Sequence, residues 1–179
     1  MTSLLTATGH GTGTPGAPVA TTVAAPVAAP VDLDAALLPG PTALHRRLAA
    51  RLADPTARPA CLVVVGLLRK DTGWPLTTAA ITTITSLLAG ALRGDDWLAR
   101  EDHTEFGVLV EGAPTDGDVV AARLTGVVSG AVPGVHASAG VVTLEAGLTV
   151  HEVERRALLC LDAARHRGPQ AVVHYAGTR

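Results

Sequence analysis

The chain has 179 residues and a formal net charge of −2. This length allows one domain of ordinary size plus a tail, and the balanced charge favours neither nucleic acid nor an anionic membrane as a partner. Apolar residues make up 47% of the chain but aromatic residues only 2%, so we expect a core of Val, Leu, Ile and Ala side chains. Cys61 and Cys160 stand alone in apolar runs, which predicts buried free thiols and no zinc site.

The first 31 residues are rich in Thr, Gly, Ala and Pro and show neither a helical nor a strand period. Such a composition predicts a disordered tail. No Lys or Arg precedes Arg46 and four prolines interrupt the segment, so neither a signal peptide nor a membrane anchor is expected. No later run reaches the roughly 20 apolar residues of a membrane helix. We therefore expect a cytoplasmic protein.

Residues 32–58 are predicted to form two short helices and a linker that precede the main domain. The helical patterns cover residues 32–38 and 42–52, on either side of a Pro-Gly-Pro sequence. In the second pattern Leu44, Leu48 and Leu52 share one face. A helix of this kind either lies on its own domain or pairs with a second copy, so the stripe also motivates a homodimer hypothesis.

Residues 59–179 are predicted to alternate between strands and helices. Strands are expected at 61–68, 97–100, 106–110, 135–142 and 171–175. Three helices are expected in this region. The first ends near Arg93, the second begins near a capping residue, Asp116, and the third runs from a capping box at Thr149 to Gly168. This order predicts a mixed α/β fold, with a mainly antiparallel central sheet, packed helices and a ferredoxin-like core.

Several short motifs occur in a characteristic order along this region. Arg93 and Asp96 form an Arg-x-x-Asp pattern, and five residues later come Asp102, His103, Thr104, Glu105 and Phe106. A Ser-Ala-Gly sequence at 138–140 and an Ala-Arg-His-Arg-Gly sequence at 164–168 follow. In this order and spacing, residues 42–179 resemble a degenerate GGDEF domain, the domain of diguanylate cyclases. The resemblance implies a fold like the palm of nucleotide cyclases.

The sequence departs from that family where the chemistry would take place. The resemblance implies that active members hold magnesium and GTP through two carboxylates, whose positions here are Gly66 and Thr104. Glycine offers no ligand, and a hydroxyl is a poor substitute for a carboxylate on a hard cation. Asp102 and His103 replace the two signature glycines, and Arg165 replaces the family's lysine. We therefore predict no catalytic residues, no metal, no cofactor and no cyclase activity.

The Arg-x-x-Asp pattern leaves two interpretations open. The resemblance implies an inhibitory-type site for cyclic di-GMP, formed by Arg93 and Asp96 with Arg100 nearby. The structural alternative is a polar turn that ends a helix, with the arginine complementing the helix dipole. The sequence thus predicts a signalling domain that acts as a cyclic di-GMP receptor or as a protein-interaction adaptor. A nucleotide-independent structural or oligomerisation module is the alternative.

Overall fold

The computed structural model describes residues 38–54, 56–69 and 75–177. The helices are α1 (Pro41–Ala53), α2 (Thr78–Gly90), α3 (Pro114–Ala131) and α4 (Val150–Arg167). The strands are β1 (Ala60–Arg69), β2 (Trp97–Arg100), β3 (Glu105–Glu111), β4 (Val135–Thr143) and β5 (Val172–His174). The predicted tail, and residues 32–37 of the first predicted helix, lie outside the described residues.

The five strands form one sheet in the order β2-β3-β1-β4-β5. The first four pair antiparallel, whereas β5 joins β4 in parallel. Helices α2 and α3 pack on one face of the sheet, and α1 and α4 pack on the other. The predicted mixed α/β fold with a ferredoxin-like core is confirmed.

Strand β1 is the centre of the molecule because both of its faces are buried. Val63 and Val65 point into the core beneath α2 and α3, while Leu62 and Val64 point into the core beneath α1 and α4. A continuously apolar, β-branched run is what a strand covered on both faces requires. The run ends at Gly66, whose missing side chain becomes important in the site described below.

Helix α1 uses its leucine stripe within its own domain. Leu44 and Leu48 are fully buried against the sheet and α4, and Leu52 is partly buried beside them. The stripe is therefore occupied intramolecularly, and the surface that motivated the homodimer hypothesis is not available for pairing.

Two predicted helix ends are displaced in the structure. Helix α2 ends at Gly90 and not near Arg93, because the backbone N–H of Ala91 already caps it by donating to the carbonyl groups of the last turn. Helix α3 begins at Pro114, so Asp116 lies in the first turn and is not the N-cap residue. Its carboxylate accepts the backbone N–H of Ala113 at 2.8 Å, which still satisfies a free donor at the helix start.

The Ser-Ala-Gly sequence of β4 lets α4 lie unusually close to the sheet. A Cβ atom on Gly140 would meet the backbone of Ala157, Cys160 and Leu161. Two residues earlier, the Ser138 hydroxyl donates to the carbonyl oxygen of Gly168 at 2.9 Å and so fixes the end of α4. The strand thereby sets where the side chains of α4 reach over the sheet.

Candidate functional site

The signature hairpin joins β2 to β3 in a tight polar turn. The backbone N–H of Glu101 donates to the Glu105 carbonyl oxygen at 2.9 Å and closes the turn. The Asp102 carboxylate accepts the backbone N–H of Thr104 at 2.5 Å and the Thr104 hydroxyl at 3.1 Å. Asp102 and Thr104 thus satisfy each other inside the turn, whereas His103 is exposed.

Glu105, the carboxylate at the signature position that the resemblance implies, is paired with Arg165 of α4. Arg165 Nη2 lies 2.8 Å from Glu105 Oε1, and the two side chains are 29% and 17% exposed. Glu105 is the register partner of Gly66 on β1. A Cβ atom on Gly66 would lie 2.6 Å from Arg165 Nη2 and 3.0 Å from the guanidinium carbon. The guanidinium therefore lies across Gly66, in the space a side chain there would occupy.

This arrangement does not fit the magnesium site that the resemblance implies. One carboxylate, Glu105, remains, and a fixed guanidinium already balances its charge. Magnesium prefers several oxygen ligands in near-octahedral geometry, and an adjacent cation opposes its binding. Within residues 38–54, 56–69 and 75–177, no group of three or more His, Cys, Asp or Glu side chains is placed to hold a metal ion.

A cavity of about 520 Å³ opens beside the hairpin, between α1 and α4. Its floor includes Leu62 and Val64 of β1, and Leu158 of α4 forms part of its wall. The polar part of the lining consists of one hydroxyl, one imidazole and four carboxylates, from Thr42, His45, Glu101, Asp102, Glu105 and Glu154. The cavity thus combines an apolar floor with a strongly acidic rim.

Glu101 is the carboxylate in this cavity whose negative charge is least balanced by neighbouring groups. Gly107 of β3 makes room for it, because a Cβ atom there would lie 3.1 Å from Glu101 Oε1. Burial raises the pKa of the Glu101 carboxyl above its ordinary value, and the nearby charges of Glu154, Glu105 and Asp102 raise it further. Within the described chain no cation lies at ion-pair distance from Glu101.

The structure places Arg93 and Asp96 together in the turn that follows α2. The backbone N–H of Arg93 donates to Asp96 Oδ2 at 3.0 Å, so one carboxylate oxygen stabilises the turn. The other oxygen, Asp96 Oδ1, is buried without a hydrogen-bond partner. The Arg93 side chain is exposed. The turn therefore serves a structural purpose and holds one carboxylate oxygen of Asp96 buried without a partner.

Arg100 contacts other residues than Arg93 and Asp96. Its guanidinium is 5.8 Å from the ring centre of Phe106, and it lines a cavity of about 460 Å³ together with His103 and Thr104. The start of α2, including Thr78, forms the other side of this cavity. In the described part of the chain, no hydrogen bond or ion pair joins Arg100 to Arg93 or Asp96. The structure thus joins Arg93 to Asp96 within the turn, while the contacts of Arg100 are with Phe106 and with the lining of this cavity.

Two features of the site were not found by sequence reasoning. The sequence shows Arg165 where the resemblance implies a lysine, but it gives no signal that places the guanidinium over Gly66. The acidic rim was missed because Glu101, Glu154 and His45 come from three different elements. The only available signal was the coincidence of a glycine for an aspartate and an arginine for a lysine in the same site.

The described chain has the fold of a GGDEF domain, with a five-stranded mixed sheet and four helices. The diguanylate cyclase SiaD from Pseudomonas aeruginosa, crystallised with its activator SiaC, is 22% identical over 77% of this chain, with a TM-score of 0.68. This chain spans 59% of the SiaD chain. No protein-family model and no curated protein sequence matches the chain.

Two isolated domains show the same likeness. The GGDEF domain of DgcB from Caulobacter crescentus, crystallised with c-di-GMP, is 19% identical, with a TM-score of 0.67 and coverage of 78% of this chain and 90% of that one. The active GGEEF domain of a diguanylate cyclase from Vibrio cholerae is 15% identical, with a TM-score of 0.68 and coverage of 79% and 100%. At these identities the likeness establishes the fold. Among the described residues, no helix is both long and apolar enough to cross a bilayer.

Proposed function

We propose that this chain is a GGDEF-fold signalling domain without cyclase activity, which receives a signal as a cyclic di-GMP receptor or a protein-interaction adaptor. The position of Arg165 carries this proposal. Its guanidinium lies over Gly66 and pairs with Glu105 at 2.8 Å, so the protein supplies its own cation where the family's metal site would be.

Two physical arguments oppose phosphoryl transfer at this site. Metal-assisted transfer depends on cations that bridge the phosphates and neutralise the charge that develops in the transition state. A guanidinium bound to Glu105 is already neutralised by that carboxylate. The adjacent cavity also carries the negative charges of Glu101, Asp102 and Glu154, which would repel a triphosphate.

Incubation with GTP and magnesium tests the loss of activity directly. We expect no cyclic di-GMP above the level of a reaction without protein, measured by liquid chromatography with mass detection. An active GGDEF domain run in parallel confirms that the assay works. Product that increases with the concentration of this protein would overturn the proposal.

The receptor form of the proposal depends on the turn after α2. Arginine offers a planar fork suited to phosphate and guanine, and a carboxylate oxygen accepts from guanine N–H groups. The exposed Arg93 side chain can supply the fork, whereas Asp96 Oδ1 is unpartnered but buried, so it reaches a guanine only when the turn around it opens. The complex of the DgcB GGDEF domain with c-di-GMP supports such a ligand for this fold.

Calorimetric titration with cyclic di-GMP tests the receptor form. We expect saturable binding that Arg93→Ala abolishes. Arg46→Ala, which removes the same charge from an exposed position on α1, should leave the affinity unchanged. Absence of binding to the unmodified chain, or an equal loss in both variants, rules out this site and leaves the adaptor form.

The adaptor form is supported by the SiaD structure, in which a diguanylate cyclase is bound to a protein activator. The alternative is a nucleotide-independent module that oligomerises through its entry helix or its sheet, and the entry-helix surface is lost to it because Leu44 and Leu48 are buried in their own domain. We expect a monomer by light scattering. A stable homodimer at low micromolar concentration would favour the oligomerisation module instead.

A further inference from the structure

The cavity between α1, α4 and the hairpin has the chemistry of a binding groove for a cation with an apolar stem. Its apolar surfaces come from Leu62, Val64 and Leu158. Leu158 is 47% exposed, and its neighbour Leu159 on α4 is 51% exposed. Leu158 thus carries apolar surface from the cavity to its mouth, and Leu159 adds an exposed apolar side chain that lies outside the cavity lining.

The charges around this groove are unbalanced. Arg165 neutralises Glu105, and His45 Nδ1 lies 3.2 Å from Glu154 Oε1. Glu101 has no cationic partner within the described chain, and Asp102 is paired only with groups of its own turn. The groove thus keeps an excess of negative charge next to apolar surface.

We propose that this groove binds an arginine side chain presented by a partner protein, on a segment whose flanking residues are apolar. This inference rests on the adaptor form of the proposed function and specifies its partner. The aliphatic stem of the arginine lies against Leu62 and Val64, and its guanidinium donates to Glu101 and Glu154. The flanking apolar residues of the partner cover Leu158 and Leu159.

Charge complementarity separates this ligand from the other candidates. Nucleotide phosphates are repelled by the carboxylates, and the described side chains include no group placed to bind a metal ion. A free polyamine would satisfy the carboxylates but would leave the exposed leucines uncovered. An arginine within an apolar segment satisfies both features, because its planar fork suits two carboxylates and its neighbours bury apolar area.

A peptide titration followed by NMR tests the proposal on the full-length, ¹⁵N-labelled chain. The probe is the blocked peptide acetyl-Gly-Leu-Arg-Leu-Gly-amide. Two charge-assisted hydrogen bonds to a pre-formed groove correspond to a dissociation constant of about 1 mM. We expect shifts confined to the amides of α1, the hairpin and the central part of α4.

Three controls make the result specific. A peptide with citrulline in place of arginine keeps the shape but loses the charge and should cause no shifts. Glu101→Gln should weaken binding of the arginine peptide about ten-fold, whereas Glu145→Gln, at an exposed position outside this groove, should not change it. Retained chemical shifts in both variants show that they are folded.

Several outcomes would overturn the proposal. They are no shifts at peptide concentrations of about 10 mM, equal affinity for the citrulline peptide, or unchanged affinity in Glu101→Gln. Spermidine that binds as tightly as the peptide and shifts the same amides would replace the protein partner with a small cation. The GTP assay and the cyclic di-GMP titration do not depend on this groove, so failure of this inference leaves the absence of cyclase activity and the receptor form untouched, and it rules out only this groove as the surface of the adaptor form.

Discussion

Replacement of Gly140 by alanine tests how closely α4 must approach the sheet. A Cβ atom there would lie closer than 3.0 Å to the backbone oxygen of Ala157 and the backbone nitrogen of Leu161. These are backbone atoms of a helix, so no rotamer change can relieve the contact. Helix α4 as a whole has to move away from β4.

The size of the effect follows from the packing of α4. To move those backbone atoms from 2.3 and 2.4 Å to an ordinary contact distance of about 3.5 Å, α4 must retreat by about 1 Å, which forfeits a quarter to a half of the dispersion energy across the gap. Val153, Ala157 and Leu161 are all fully buried on that side. We expect Gly140→Ala to lower the free energy of unfolding by about 3 kcal/mol and the melting temperature by about 10 °C.

Urea unfolding followed by circular dichroism at 222 nm provides the measurement, and Gly126→Ala provides a matched control. Gly126 lies inside α3, and a Cβ atom there would have no neighbour within 4 Å. The same chemical change should therefore raise the free energy of unfolding, by about 1 kcal/mol, through helix propensity alone. The reasoning is refuted if the two variants shift in the same direction, or if Gly140→Ala lies within about 0.5 kcal/mol of the unmodified protein.

Two further predictions concern the charges of the site. Arg165→Ala leaves the partly buried Glu105 without its cation, so it should lower the free energy of unfolding in urea by about 1–2 kcal/mol. Arg167→Ala, at an exposed position on the same helix, should change it little, and equal losses in the two variants would contradict the role of the ion pair. For Glu101, the raised pKa means that the folded state favours the protonated form, so the stability this group contributes is present at low pH and lost as pH rises through its folded pKa. Glu101→Gln should therefore raise the free energy of unfolding at pH 7 by about 0.5 kcal/mol, a value reduced for solvent screening, and should not change it near pH 3. An equal increase in the free energy of unfolding at both pH values would refute this.

Much of the fold could be predicted because local signals agree with the final packing. The apolar run of β1 specified a central strand, and the Thr149 cap with the Gly168 terminus defined α4 to within one residue. The end of α2 was misplaced by about one turn, because the apolar period continues to Leu92 while the backbone already caps at Ala91. Apolar periodicity predicts which face of a helix is buried, but it does not predict where the last backbone hydrogen bond of the helix lies.

The site was less predictable because it depends on contacts between distant parts of the chain. The Arg165–Glu105 pair spans 60 positions and the His45–Glu154 pair spans 109. The sequence indicated that metal ligands were missing, but it gave no signal for what fills the space. The leucine stripe of α1 showed the same limit, since an apolar face does not specify whether its own domain or another chain covers it.

The guanidinium over Gly66 also determines what the introduction of a metal site here would require. A metal ion binds from solution and leaves again, whereas Arg165 is held on a packed helix and is always present at a high effective concentration. An aspartate introduced at position 66 would meet that guanidinium before any dissolved magnesium, since a Cβ atom there would lie 2.6 Å from Arg165 Nη2. Metal binding at this position would therefore require the removal of the tethered cation before the addition of a ligand, and the order of those two substitutions would matter.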